Sequence, residues 1–391
     1  VHPALPTGLS LGSTNGTLWG APTASIPQTN FTVYANNSGG SSSFVLNLGV
    51  NLEAPGPFQY IPENNTLTNN TEVYLVPQFL NQTTGNGSTW QAADIASGAG
   101  LSSVPGAKMA ILVGNTMYFD ADGGAAGTGR ELWAYDISND SAWLVANINS
   151  GSYSNSWPGQ FMSVLVGDTI YFDANDGSTG RELWAHDTSN HSTWRVTNIN
   201  SSASSDVGTH MHVLVGDTIY FNARDGYDSA STGTELWAHD TSNHSTWRVA
   251  DINSGATSSS PGVNMKILIG DTLYFDASGG GTTSNRELWA HDTSNHSTWQ
   301  VADISTGGNG NVGLYMSTLV GDTLYFSASD GSTGTELWAH DTSNHSTWQA
   351  ANINFGLGSS MPGQHLELLV GDTLYFSCLL YTSDAADELS C

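Results

Sequence analysis

Thirteen asparagines of this chain stand in Asn-x-Ser/Thr, the spacing an N-linked glycan acceptor requires: Asn15, Asn30, Asn36, Asn64, Asn69, Asn81, Asn86, Asn139, Asn190, Asn200, Asn243, Asn295 and Asn344. Six of them (Asn86, Asn139, Asn190, Asn243, Asn295 and Asn344) share one context, a turn just before a Trp-containing strand-like run. The surrounding residues change (NGST, NDSA, NHST), yet the triplet persists in all six copies. An acceptor must sit on an exposed loop, and a hairpin tip meets that need. Ordinary turn chemistry competes as an explanation, because Asn favours turns and Ser or Thr favours strand starts. The expectation is one glycan per copy, all on one rim.

Acidic residues form a second series: Asp120/Asp122, Asp173/Asp176, Asp225/Asp228, Asp276 and Asp330. Oxygen-rich loops containing glycine are what calcium needs. No copy has the full spacing of an EF-hand loop, so Asp-Gly turns compete with this reading. Asp173, Asn175 and Asp176 are the best calcium candidates, and no other cofactor is expected. Histidines recur in pairs around the sequon turn (His186/His191, His239/His244, His291/His296 and His340/His345). They read as polar rim residues, with a transition metal as the alternative. A glutamate precedes each repeated Trp: Glu131, Glu182, Glu235, Glu287 and Glu336, with Glu72 in a partial copy. Paired carboxylates could serve hydrolysis, but a residue present in every copy fits backbone hydrogen bonding better, because one catalytic site needs one geometry. No H-E-x-x-H or P-loop is present.

The elements that position these residues repeat about every fifty positions. Each copy has an apolar run, a tight Gly-Asp or Gly-Asn turn (Gly114, Gly167, Gly216, Gly270, Gly321, Gly371) and a TLYF-like run. A loop, an ELW run (Trp133, Trp184, Trp237, Trp289, Trp338) and a Ser-Thr-Trp run follow. Short runs rich in Val, Leu, Tyr, Phe and Trp, punctuated by Gly, Asp and Asn, predict four antiparallel strands per copy. Their nearly continuous apolar character suits strands covered on both faces. That is the arithmetic of a β-propeller blade, and the ELW tryptophans read as blade core.

GTELWAHDTSNHSTWRVADI beside LVGDTLYFSASDGSTG resembles the ELWxxD repeat of prokaryotic surface proteins and, in outline, the kelch blade. The resemblance spans roughly residues 71–377 and implies a propeller without fixing an activity. An oxidase of the kelch type would need a cysteine for its Cys–Tyr cofactor, and the repeats have none. Near the N-terminus, LPTGLSLGSTNGTLWGAPT followed by QTNFTVYANNSGGSSS resembles the Ig-like, cadherin-like modules that stack into microbial surface stalks. In combination the two look like surface proteins of planktonic archaea. The strand expected before Ala4 is largely missing. The chain was therefore cut from a longer stalk, or the module accepts a strand from a neighbouring molecule.

The expected organisation is all-β: a partial Ig-like β-sandwich over 1–53, a Pro/Asn-rich connector over 54–70, and a β-propeller over 71–377. TEVYLV (71–76) and STWQAADI (88–95) look like third and fourth strands, and HLELLVGDTLYF (365–376) like first and second. Together they would complete a sixth blade and close the ring, removing exposed strand edges; an open or longer array is the alternative. CLLYTSDAADE, beginning at Cys378, looks like a translated sequencing adapter, so 378–391 is read as a cloning scar from environmental DNA. Both cysteines fall in it.

With 8 Lys and Arg against 35 Asp and Glu, the formal charge is −27. That excludes nucleic acid and anionic membrane as partners, and no apolar run is long enough to insert directly into a membrane. The expected function is a non-enzymatic, glycosylated structural subunit, extracellular or on the cell surface. It would self-associate into a homopolymer, a filament or coat, through strand pairing between subunits. The alternative is an adhesin binding glycan or protein on the propeller face, with a propeller enzyme last.

Overall fold

The computed structural model is all-β, with no helix among the described residues. Described are residue 5, the strands at 9–11, 18–20, 26–37 and 40–50, and residues 91–96, 102–124, 128–226, 231–280 and 285–380. Two compact units are present: Val1–Asp94 with Ile111–Met117 and Tyr135–Ser141, and Ile95–Ala110 with Tyr118–Ala134 and Ala142–Cys391.

In the first unit β1 (Leu9–Leu11) pairs with β2 (Leu18–Gly20), and β3 (Ile26–Asn37) with β4 (Gly40–Val50). The β3–β4 ribbon is two-stranded, with its register shifting between Ile26 and Thr29. Pro27, which has no N–H for the ladder, stands at that irregularity.

Five four-stranded antiparallel sheets follow, each a meander in chain order, as in propeller blades. They are β5–β8 (Ala110–Val113, Thr116–Asp122, Arg130–Asp136, Ser141–Ala146) and β9–β12 (Ser163–Val166, Thr169–Asn175, Arg181–Asp187, Thr193–Arg195). Next come β13–β16 (His212–Val215, Thr218–Arg224, Thr234–Asp240, Ser245–Ala250) and β17–β20 (Lys266–Ile269, Thr272–Ser278, Arg286–Asp292, Thr298–Ala302). The fifth is β21–β24 (Ser317–Val320, Thr323–Ser329, Thr335–Asp341, Ser346–Ala351). A Gly-Asp turn, Gly114-Asn115 in the first sheet, joins each first and second strand as a two-residue hairpin. Gly167 there has φ +58, and a Cβ would meet nothing within 4 Å. Backbone conformation rather than space calls for glycine, as at the first central position of a type II′ turn.

The second strands of the four-stranded sheets are largely buried, with five consecutive buried residues, Ile170–Ala174, in β10. Both their faces are covered, because each core draws on two successive sheets. Tyr171, Leu183 and Ala185 pack with Ile219, Phe221 and Ala223, and Tyr220, Leu236 and Ala238 pack with Leu273, Phe275 and Ala277. Trp237 and Trp289 lie against these clusters, as expected of core tryptophans.

Stacking is close enough to dictate sequence. Gly208 has φ +72, and a Cβ there would stand 2.7 Å from Cβ of Met162 in the preceding module. Gly159, Gly262, Gly313 and Gly363 repeat the contact with Met109, Met211, Met265 and Met316.

The last sheet has two strands, β25 (Glu367–Val370) and β26 (Thr373–Phe376). Leu368, Val370 and Tyr375 are about half exposed there. First and second strands thus form where expected. Of the segments expected to complete this sheet, 71–90 lies outside the described residues, as does the connector 54–70. Residues 91–95, expected to end a fourth strand, are described and carry no strand. Cys378 is disulfide-bonded.

Candidate functional site

The most regular constellation is the tip between third and fourth strands. β11 ends at Asp187, and Thr188 donates from both N and Oγ1 to the Asp168 carbonyl at 2.8 Å, anchoring the tip to the Gly-Asp turn. Asp187 Oδ1 accepts from Ser189 N (2.8 Å) and Oγ (2.6 Å), and its Oδ2 accepts from Asn190 Nδ2 at 2.7 Å. Asn190 Oδ1 in turn accepts from Ser192 N at 2.9 Å. His191 sits between the two at φ +61. These donors, Ser189 first, hold the Asp187 carboxyl below the usual carboxylate range. The same network surrounds Asn139, Asn243, Asn295 and Asn344, with Nδ2 at 2.7–2.9 Å from Asp136, Asp240, Asp292 and Asp341. All five asparagines are exposed.

Other sequons divide. Asn30 and Asn36 fall in β3, opposite Asn47 and Ser41. Asn15, Asn64, Asn69, Asn81 and Asn86 lie outside the described residues. Asn200 corrects the expectation of a glycan there: it is fully buried, its Nδ2 donating to Ser204 O (3.1 Å) and its Oδ1 accepting from Ser202. A sequon in the folded interior offers no nitrogen to a transferase that acts on the folded chain.

Calcium is corrected as well. Asp173 is buried in β10, where its Oδ1 accepts from Phe161 N (2.8 Å) and Met162 N (2.9 Å) and its Oδ2 pairs with Arg181. Asn175 accepts from Gly177 N, while Asp176 accepts from Ser178 and Thr179 and pairs with Arg195 at 3.1 Å. Each oxygen set serves its own turn or cation, and the three do not converge. Among the described residues no group of three or more metal-ligating side chains occurs.

The Asp173–Arg181 pair was missed by the sequence reading. Asp120–Arg130 and Asp276–Arg286 repeat it. Its signal lay inside the repeats: where the third strand opens with Arg, the second carries Asp. Where it opens with Thr (Thr234, Thr335), the second carries Asn222 or Ser327, whose Asn222 Oδ1 and Ser327 Oγ accept the corresponding backbone N–H groups.

The repeated glutamates do bond backbone, but in the segment linking one sheet to the next. Glu131 accepts from Ile148 N (2.7 Å) and Ser156 Oγ (2.7 Å), and Glu235 from Ile252 N (2.8 Å), Ser259 N (2.9 Å) and Ser259 Oγ (2.6 Å). Burial pushes Glu131, Glu182, Glu235 and Glu287 up to about 7 against these donors. The first histidine of each pair is buried rather than on the rim. His186, His239 and His291 contact Tyr118, Tyr171 and Tyr220 of the preceding sheet at 5.1–5.3 Å, and Nδ1 meets a Thr hydroxyl at 2.8–2.9 Å. Burial pushes all three down to about 4.

The family described as "Putative Ig domain" matches residues 1–51. No curated protein matches the chain. Among solved structures it is similar to an oligogalacturonate lyase in complex with manganese, at 11% identity and TM-score 0.35, over 61% of this chain and 62% of that one. It is also similar to a puromycin hydrolase S511A mutant (10%, TM-score 0.39, 68% and 41%) and a prolyl endopeptidase (11%, TM-score 0.43, 71% and 40%). The chain therefore spans about two fifths to three fifths of the length of these structures. An Ig-like module at the N-terminus and repeated four-stranded propeller-type sheets after it are what this chain is built from.

Proposed function

We propose that this protein is a non-enzymatic structural subunit, displayed outside the cell, which assembles into a filament or coat by strand pairing between copies. The observation that carries the reading is the β3–β4 ribbon. Its strands are 12 and 11 residues long, and no third strand pairs with either among the described residues. Long edges with unpaired N–H and C=O groups are templates for strand addition, and an isolated two-stranded ribbon is marginal in water. The repeated glutamates and the first histidine of each pair support a non-catalytic role, because they bond the segment linking two sheets or contact the preceding sheet. Electron microscopy of the native material tests it: regular filaments with a strand of one subunit against β3 or β4 of another are expected. Dispersed monomers at high concentration would overturn it. In that case an adhesin role would be the reading to pursue, by a glycan-binding screen.

A further inference from the structure

We infer that the five tip asparagines, Asn139, Asn190, Asn243, Asn295 and Asn344, are N-glycosylation acceptors, and that the preceding aspartates are positioning residues for the acceptor amides. The inference rests on the extracellular part of the function proposed above, and not on assembly.

The chemistry is transfer of a saccharide from a glycosyl pyrophosphate donor. A bond forms between Nδ2 and the anomeric carbon, and the anomeric C–O bond breaks with its electron pair leaving on the pyrophosphate. Nδ2 gives up one of its two protons, which passes through a base of the transferase to solvent. At each tip the acceptor is exposed, and its carbonyl oxygen is held by the backbone N–H of the sequon serine, 2.9 Å in four copies and 3.1 Å at Ser141. The Asp oxygen, at 2.7 Å from Asn190 Nδ2, needs only one hydrogen. The glycosylated amide retains one, so the same hydrogen bond survives modification and fixes the direction in which the sugar leaves the sheet.

Turn chemistry alone does not account for the pattern. The residue between Asn and Ser has φ between +55 and +61 in all five copies, yet it is Asp140 or a histidine rather than glycine. A non-glycine residue in that region costs roughly 1–2 kcal/mol. The strained position varies between Asp and His while Asn before it and Ser after it persist. What the copies share is the acceptor triplet.

Asn200 supplies the internal control, since its Asn-Ser-Ser is an equally good sequon in a buried place. The experiment is glycopeptide mass spectrometry of the full chain after the folded protein is incubated with an oligosaccharyltransferase and its glycosyl pyrophosphate donor, with Asp187→Ala and Ser192→Ala variants alongside. Saccharide mass is expected on all five tip peptides and not on that of Asn200. Ser192→Ala should abolish occupancy at Asn190, and Asp187→Ala should lower it several-fold, with the other four tips unchanged in both. Bare tips would overturn the inference, as would Asn200 occupied like the rest. Unchanged occupancy in Asp187→Ala would overturn the positioning role. Glycosylated tips on a chain that never forms filaments would sustain this inference while removing the proposed assembly.

Discussion

Asp173 and Arg181 show how a residue changes meaning once its partner is known. An acid at the mouth of a glycine-rich loop looked like a metal ligand, and it is an internal counter-ion that also caps two backbone N–H groups. Removing one member of such a buried pair strands the other, which typically costs about 3–5 kcal/mol. Arg181→Ala should therefore lower the denaturation midpoint sharply. The double change Asp173→Asn with Arg181→Thr should recover most of the loss, because it installs the pair the third sheet already carries at Asn222 and Thr234. Equal destabilisation by the single and double changes in urea melts would refute that equivalence. A calcium chelator should leave the melting temperature unchanged, since these oxygens are committed within the protein. The pairing was hidden because one copy of the repeat shows only an acid and a base ten or so positions apart. Comparing the copies with one another exposes it.

At the level of elements, strands and turns were legible and their contacts were not. Gly-Asp punctuation, β-branched runs and the ELW phrase gave the hairpins directly, because those signals are local. The glycines that meet a methionine of the preceding module (Gly159, Gly208, Gly262, Gly313 and Gly363) gave no such signal, since their reason lies in that module. Gly208→Ala should cost more than the usual helix or strand penalty: φ +72 strains any side chain, and Met162 blocks the Cβ at 2.7 Å. A loss of about 2–4 kcal/mol is expected by these principles, whereas Gly216→Ala, strained but spacious, should lose about 1–2. Calorimetry of the two variants separates strain from collision. The buried first histidines were likewise read as rim residues, because a fourth strand's hairpin looks peripheral until the neighbouring sheet is stacked on it.

For the whole molecule, two buried titrating series run through the stack in opposition. Folded glutamates at about 7, against 4.5 as the ordinary value, bind more protons than unfolded ones, so their contribution is present below 4.5 and lost as pH rises through 7. Folded histidines at about 4, against 6.5, bind fewer, so theirs is present above 6.5 and lost as pH falls through 4. Between about 4.5 and 6.5 the slopes oppose; above 6.5 the glutamates act alone. Denaturation midpoints should change little across the lower window and fall between pH 6.5 and 7.5. A midpoint rising through that upper window would contradict the buried-glutamate account.

Modules that touch mainly the module before and the module after make cohesion a nearest-neighbour property, as in a one-dimensional chain of coupled units. Interior sheets have two such couplings. The β25–β26 hairpin, with half-exposed Leu368, Val370 and Tyr375, lacks the buried second strand of its counterparts. Amide hydrogen exchange should accordingly be graded along the stack: slowest in β14 and β18, fastest in β26, where local opening demands the least free energy. The chain would then loosen from that end, module by module, rather than melt in one concerted step.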